Sequence, residues 1–308
     1  MIENHFIVGM SRAGTTWISN ALDKHSKVSV FGESCFFGRH YIENKKLYSK
    51  DDLVTLAPKF INGSLESTKI FRDNNIDYQV FFKDVFDTLI ERNEDIRPSD
   101  IFDYISKQIS EISKKSIIIE KTPHHLNYIE RIKESYPQAK FIIMKRNAVD
   151  FLLSYKHQSD RKVGISKKEL KAIYHPLGAL LIYRKYLSSI LKNQFDRNTI
   201  IFELNNNDEN ILKEVQEFLD IEQEDINIKK VNSSFNSEIK KELLIEEMFW
   251  LNLFGFVKYD INYFSINNLL KIIMSMIKIP KWGFNSIVIM KKNSSTNIVK
   301  YFLNILKG

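Results

Sequence analysis

The sequence predicts an α/β fold of three layers, with a central parallel sheet of about five strands held between helices. Two observations predict it. Short apolar runs of strand length recur along the chain and alternate with stretches whose apolar residues share one helical face. The first run leads into "GMSRAGTTW" (9–17), a P-loop-like succession of strand, Gly9, four residues, Gly14 and a helix start. In such sheets ligands collect at the carboxyl ends of the strands, so chemistry is sought there.

The runs are "HFIV" (5–8), "VSVF" (28–31), "SIIIE" (116–120), "KFIIM" (140–144) and "TIIFEL" (199–204). Trp17, Ile18, Ala21 and Leu22 mark a helix after the first run. Leu126, Ile129 and Ile132 mark one after the third, and Val149, Leu152 and Leu153 one after the fourth. Residues 39–113 break the alternation. They are polar, with turn signals at Pro58, "NGS" (62–64) and Pro98, and read as a mostly helical insertion. Residues 238–308, rich in Ile, Phe, Met and Lys and broken by Pro280 and "WGF", read as a C-terminal helical extension packed on the main domain, 1–237. Its stretch 264–292 could touch a membrane surface weakly; core-packing helices explain the same pattern and are the preferred expectation.

The 308 residues, 44% hydrophobic and 27% charged, are enough for a real core. The net charge of +7 favours an anionic partner, but the lysines look spread out and no Arg-rich block suggests nucleic acid. The one cysteine, Cys35, excludes a disulfide framework and is expected to be reduced and buried. The start "MIENHFIVG" has no basic, apolar leader pattern, and no run of about 20 apolar residues follows, so a cytoplasmic protein is expected.

Gly9 and Gly14 allow a tight turn whose N–H groups converge on an anion at a helix N-terminus. Thr15 and Thr16 add hydroxyls, and Arg12 can bind a phosphate or sulfate oxygen through charge-assisted bonds. Thr15 stands where a nucleotide-hydrolysing loop carries its lysine, which weakens an ATPase or GTPase reading. An ordinary Gly-containing turn is the plain alternative. At the end of the fourth run, Arg146 precedes Ser154 by eight residues, two helical turns, so both can face one side and hold a second phosphate. A solvated helix serine is the alternative there.

These segments together resemble the sulfotransferase family. "GMSRAGTTW" is similar to its 5′-phosphosulfate loop and "RNAVDFLLSYKH" (146–157) to its 3′-phosphate segment. "EKTPHHL" (120–126) resembles the E-K-[TS]-P segment of bacterial and glycan sulfotransferases, and "YPQAKFIIMKRN" (136–147) the strand before the 3′-phosphate arginine. Order and spacing agree over residues 5–157; "IIFELN" (200–205) and "VQEFLDI" (215–221) match more weakly. The resemblance implies a 3′-phosphoadenosine 5′-phosphosulfate donor, no metal, and sulfuryl transfer to an acceptor hydroxyl, with 1–237 as the catalytic domain. It implies that Ser11, Arg12, Ala13, Gly14, Thr15 and Thr16 hold the 5′-phosphosulfate, and that Arg146 and Ser154 hold the 3′-phosphate. Trp17 would stack on adenine, or else belong to the core.

The resemblance also implies a catalytic role for Arg12, which would stabilise negative charge on the leaving phosphate, and two more residues carry the catalytic expectation. Glu33, in "VFGES" after the second run, matches the position of the base glutamate in the glycan, glycolipid and tyrosylprotein branches. Lys121 would reach the sulfuryl oxygens from the end of the third run. The branch points to a carbohydrate or glycolipid acceptor, bound by 36–115, 155–190 and the C-terminal region. Thr122 and Pro123 suit an N-cap and first helical residue, and Pro123 stands where the small-molecule branch has a catalytic histidine. His124 or His125 could be an alternative base or lie on the surface. Ala148 replaces a helix-starting proline at small expected cost. The rivals are a P-loop kinase or NTPase and a catalytically silent nucleotide-binding protein.

Overall fold

A computed structural model describes residues 2–11, 13–42, 45–61, 69–157, 171–203, 208–226 and 242–293. Five strands, β1 (Glu3–Gly9), β2 (Val28–Gly32), β3 (Ile117–Lys121), β4 (Phe141–Lys145) and β5 (Thr199–Glu203), form one sheet in the order β2-β3-β1-β4-β5. Every pairing is parallel. The helices are α1 (Thr15–Leu22), α2 (Lys50–Ile61), α3 (Lys69–Asp73), α4 (Tyr78–Glu91), α5 (Pro98–Ser113), α6 (Ile129–Ser135), α7 (Ala148–Lys156), α8 (Pro176–Asn193), α9 (Asp208–Phe218), α10 (Ile245–Leu253), α11 (Ile266–Ile277) and α12 (Ile279–Asn293). The chain divides into two compact units, Met1–Lys145 with Ser189–Val231, and Arg146–Ser188 with Asn232–Gly308. The α/β fold expected from the apolar runs is the one observed.

In the first unit β2, β3, β4 and most of β1 are buried on both faces, as a parallel sheet between helices requires, while the edge strand β5 is mostly half-buried. β1 starts two residues before the apolar run, because Glu3 and Asn4 pair with Ile117 and Ile118 through the backbone whatever their side chains prefer. Phe6 stacks on Phe102 and Phe141 at 5.6 and 5.5 Å, with Phe37 edge-on at 5.9 Å. Aromatic pairs of this kind each add about 0.5–1.5 kcal/mol beyond the area they bury.

Between β2 and β3 the chain is mostly helical. α2 and α4 pack around Phe60, Phe82 and Phe86. Asp77 starts α4 by accepting from the N–H groups of Gln79 and Val80 at 2.8 and 3.2 Å. α5 leaves that cluster and lies on β2 and β3, burying Ile101, Phe102, Ile105 and Ile109. It is thus the crossover helix of the β2–β3 pair.

The segment after "EKTP" is not one α-helix. Pro123–Tyr128 forms a 3-10 helix and α6 begins only at Ile129. Thr122 occupies the N-cap position but makes no capping bond, since its hydroxyl is held elsewhere.

In the second unit α7 starts at Ala148 without a proline, because Asn147 Oδ1 accepts from the Asp150 N–H at 2.9 Å. Among the described side chains of 264–288 the expected core packing is limited to a few residues, Ile272, Ser275 and Ser286. In α11 only Ile272 and Ser275 are buried, while most of its large apolar side chains face solvent. No helix among the described residues is long and apolar enough to cross a membrane.

Candidate active site

The sheet register sets the site of the first unit. Gly32 of β2 pairs with Lys121 of β3, and Lys121 pairs with Ile7 of β1, so β2 and β3 end level with each other while β1 runs two residues further, to Gly9. The segments after them carry the residues singled out above.

After β1 the chain turns through Gly9, at φ +151°, where a Cβ would lie 2.2 Å from the Met144 carbonyl oxygen. Only glycine allows this approach to β4, which the Met10 N–H completes by donating to that oxygen at 2.9 Å. Ala13 N–H donates back to the Met10 carbonyl at 3.1 Å, and Gly14, left-handed at φ 91°, starts α1. The first-turn N–H groups of a helix have no acceptor within it and face outward along the axis. Ser11 is half-buried, Ala13 and Thr15 are buried, Thr16 is exposed, and Trp17 is half-buried rather than a core residue. Arg12 lies outside the described residues.

Glu33 follows β2 directly, and Lys121 ends β3. The structure brings them together, with Lys121 Nζ 2.6 Å from Glu33 Oε1. The lysine side chain is 10% exposed and the carboxylate 45%, so the pair sits at the edge of the core with its anionic member open to solvent. Gly32 makes room for it. A Cβ there would lie 2.6 Å from the Lys121 carbonyl oxygen and 3.1 Å from its Cε.

Behind this pair is a residue that sequence reasoning passed over. Glu120 is fully buried, and its Oε1 accepts from the Ser34 N–H and hydroxyl at 2.9 and 2.8 Å and from the Thr122 hydroxyl. Its Oε2 accepts from His125 Nδ1 at 2.9 Å. Phe37 N–H donates to His125 Nε2 at 3.2 Å, which makes that nitrogen the lone-pair site and puts the ring proton on Nδ1. Burial works to raise the Glu120 pKa, but the donors, His125 foremost with Thr122 and Ser34, outweigh it and hold it below the usual carboxylate range. Cys35 N–H donates to Thr122 Oγ1 at 3.2 Å, so the segment after β2 is also tied to the residue that follows β3. Glu120 therefore anchors Ser34, the residue next to Glu33. A carboxylate placed directly after three isoleucines, still within the strand, was the available signal.

The two histidines separate. His125 is buried and locked between Glu120 and Phe37, so neither a surface place nor a role as acceptor base fits it. His124 is half-buried with its ring 5.4 Å from that of Tyr128. Cys35 is half-buried rather than buried, in a left-handed conformation at φ 51°.

Arg146 and Ser154 belong to the second unit. Arg146 is 18% exposed, with Nε 3.8 Å from Asp150 Oδ2. Ser154, in α7, is buried rather than solvated, and its hydroxyl has no hydrogen-bond partner among the described residues. Buried hydroxyls are nearly always bonded, so this one calls for an explanation.

Comparison with known proteins bears on the whole arrangement. The model of the sulfotransferase family matches residues 5–225. A curated protein of Aquifex aeolicus (strain VF5), itself uncharacterized, is 26% identical over 154 residues, half of this chain but 17% of that one. Among solved structures, a sulfotransferase domain from the curacin biosynthetic pathway is 15% identical with a TM-score of 0.47, covering 73% of this chain and 76% of that one. A sulfotransferase from Alicyclobacillus acidocaldarius is 16% identical with a TM-score of 0.42, covering 76% and 87%. The family match takes in β1 from His5 onward, the other four strands, the Gly9–Gly14 turn, the Glu33–Lys121 pair and Ser154, and this chain belongs to the sulfotransferase family.

Proposed function

We propose that the protein transfers a sulfuryl group from 3′-phosphoadenosine 5′-phosphosulfate to an acceptor hydroxyl, of a carbohydrate or glycolipid, with Glu33 as general base. The observation that carries this is the Glu33–Lys121 pair at the strand ends, one strand from the glycine turn that follows β1. The Lys121 ammonium has three N–H donors and directs one at Glu33, leaving others for sulfuryl oxygens. Glu33, nearly half exposed, can take the acceptor proton as the new S–O bond forms and the S–O bond to the 5′-phosphate breaks. A loose transfer of this kind needs positioning and charge stabilisation more than covalent help, by analogy with phosphoryl transfer.

The donor's two anionic ends fit features of the chain. Ser11, Arg12, Ala13, Gly14, Thr15 and Thr16 would surround the 5′-phosphosulfate, and Trp17, half-buried, keeps a face for adenine. The unbonded Ser154 hydroxyl is explained if a 3′-phosphate oxygen accepts from it, with Arg146 beside the same oxygens.

Calorimetry with 3′-phosphoadenosine 5′-phosphate tests the donor, with magnesium-ATP as comparison, on wild type and Arg146→Ala. Micromolar binding without metal, lost in the variant and absent for ATP, is expected. Equal or tighter binding of magnesium-ATP would overturn the reading in favour of a kinase.

A further inference from the structure

The second unit presents an apolar face that the first-unit chemistry does not use. On a helical wheel of α11, Ile266, Leu269, Leu270, Ile273 and Ile277 fall on one side, at the i, i+3, i+4, i+7, i+11 spacing of a single stripe. All five are exposed, Ile266 by 76% and Ile277 by 63%. The stripe lies opposite Ser275, and Ser275 is what fastens the helix. Its hydroxyl accepts from Trp250 Nε1 at 3.0 Å, and its carbonyl accepts from His175 Nε2 at 3.0 Å. The inward side of α11 is therefore a small polar residue with Ile272, and its large residues point out. α12 repeats the arrangement. Trp282 turns in, donating to the Ile173 carbonyl at 2.9 Å, while Phe284, Ile287 and Val288 are exposed. Phe264, before α11, is 99% exposed. Contiguous apolar exposure of this kind marks an interaction site.

The charge tells which kind. Residues 261–308 hold seven lysines and no Asp, Glu or Arg. That equals the +7 of the whole chain, so residues 1–260 balance at 38 basic against 38 acidic. The surplus that looked diffuse is confined to the segment with the exposed stripe. Lys271, Lys278 and Lys281 in it are exposed.

We infer that α11 and α12 lie flat in the headgroup region of an anionic lipid surface, apolar faces inward and lysines at the phosphates. The length suits this. At 1.5 Å per residue the helices reach about 18 and 22 Å, short of the roughly 30 Å hydrocarbon core. An apolar stripe with lysines on the rest of the helix surface is the pattern of helices that rest on bilayers. The inference is independent of the sulfuryl donor.

Sedimentation of the full chain with phosphatidylcholine vesicles, with and without phosphatidylglycerol, tests it. Binding is expected only to the anionic vesicles, weakening with salt. Replacing Lys278 and Lys281 by glutamine should weaken it roughly 25-fold, about fivefold for each charge near the surface. Ile273→Asp with Phe284→Asp should abolish it while the circular dichroism stays unchanged. If that pair unfolds the unit, Ile277→Ser, a milder change at an exposed position, replaces it. No binding to anionic vesicles, or binding indifferent to these changes, would overturn the inference. So would a dimer in solution that the same substitutions dissolve, since a second copy would then own the face.

Discussion

The Lys121 ammonium donates to the Glu33 carboxylate at 2.6 Å across the ends of two neighbouring strands, and Gly32 is the residue that lets it pass. Under the proposed chemistry the two act on one reaction centre and their effects are not independent. Glu33→Gln should lower kcat by about 10²–10⁴ and leave the affinity for 3′-phosphoadenosine 5′-phosphate nearly unchanged. Lys121→Met should also lower kcat, and the double variant should fall well short of the product of the two losses. Steady-state rates of donor consumption with a responsive acceptor, beside calorimetry, check this. Additive losses would mean the pair is structural.

Ser154→Ala gives a prediction with two signs. Removing a buried hydroxyl that has no partner relieves a desolvation cost, so the free protein should be unchanged or more stable by about 1 kcal/mol. If that hydroxyl serves the 3′-phosphate, the same change should weaken 3′-phosphoadenosine 5′-phosphate by roughly tenfold or more, as loss of a bond to a charged group does. Thermal melts and calorimetry on one preparation read both.

Glu120 predicts an acid limb. Its folded pKa lies below its ordinary value of 4.5, so its contribution to stability is complete above that value and is lost as pH falls from there through the folded pKa. Denaturant melts between pH 6 and about 3 should show wild type losing stability over that window. Glu120→Gln should be less stable at pH 6 and less sensitive to acid. A curve for the variant parallel to wild type would assign the acid limb to other carboxylates.

Asn147 caps α7 where the family pattern has a proline one residue later. Asn147→Ala should cost about 1 kcal/mol. Ala148→Pro, at the first position of the helix, should stabilise by about 0.4–1 kcal/mol. Chemical denaturation of both variants decides whether the asparagine has taken over from the proline.

The sheet was legible because strands buried on both faces must be apolar runs, and each of the five runs became a strand. Glu33 and Lys121 were named singly, but their contact joins residues 88 apart and exists only once β2 and β3 are in register. Glu120 was missed for the same reason, since Ser34 lies 86 residues away from it. In α11 the periodicity correctly gave an amphipathic helix. It could not say on which side water lies, because a stripe facing a core and a stripe facing out have the same spacing.

The strand order has a consequence for how the protein is made. β1 is synthesised first, yet it sits at the centre of the sheet, and its neighbours are β3, beginning at Ile117, and β4, ending at Lys145. At about 5–20 residues per second, the ribosome takes on the order of 7–30 s to supply both partners. During that interval Phe6, Ile7 and Val8 have no ladder to join, and the glycine turn behind them has no Met144 carbonyl to close on. The nascent chain thus waits with its central strand open, which is the period when a chaperone would matter most to its yield.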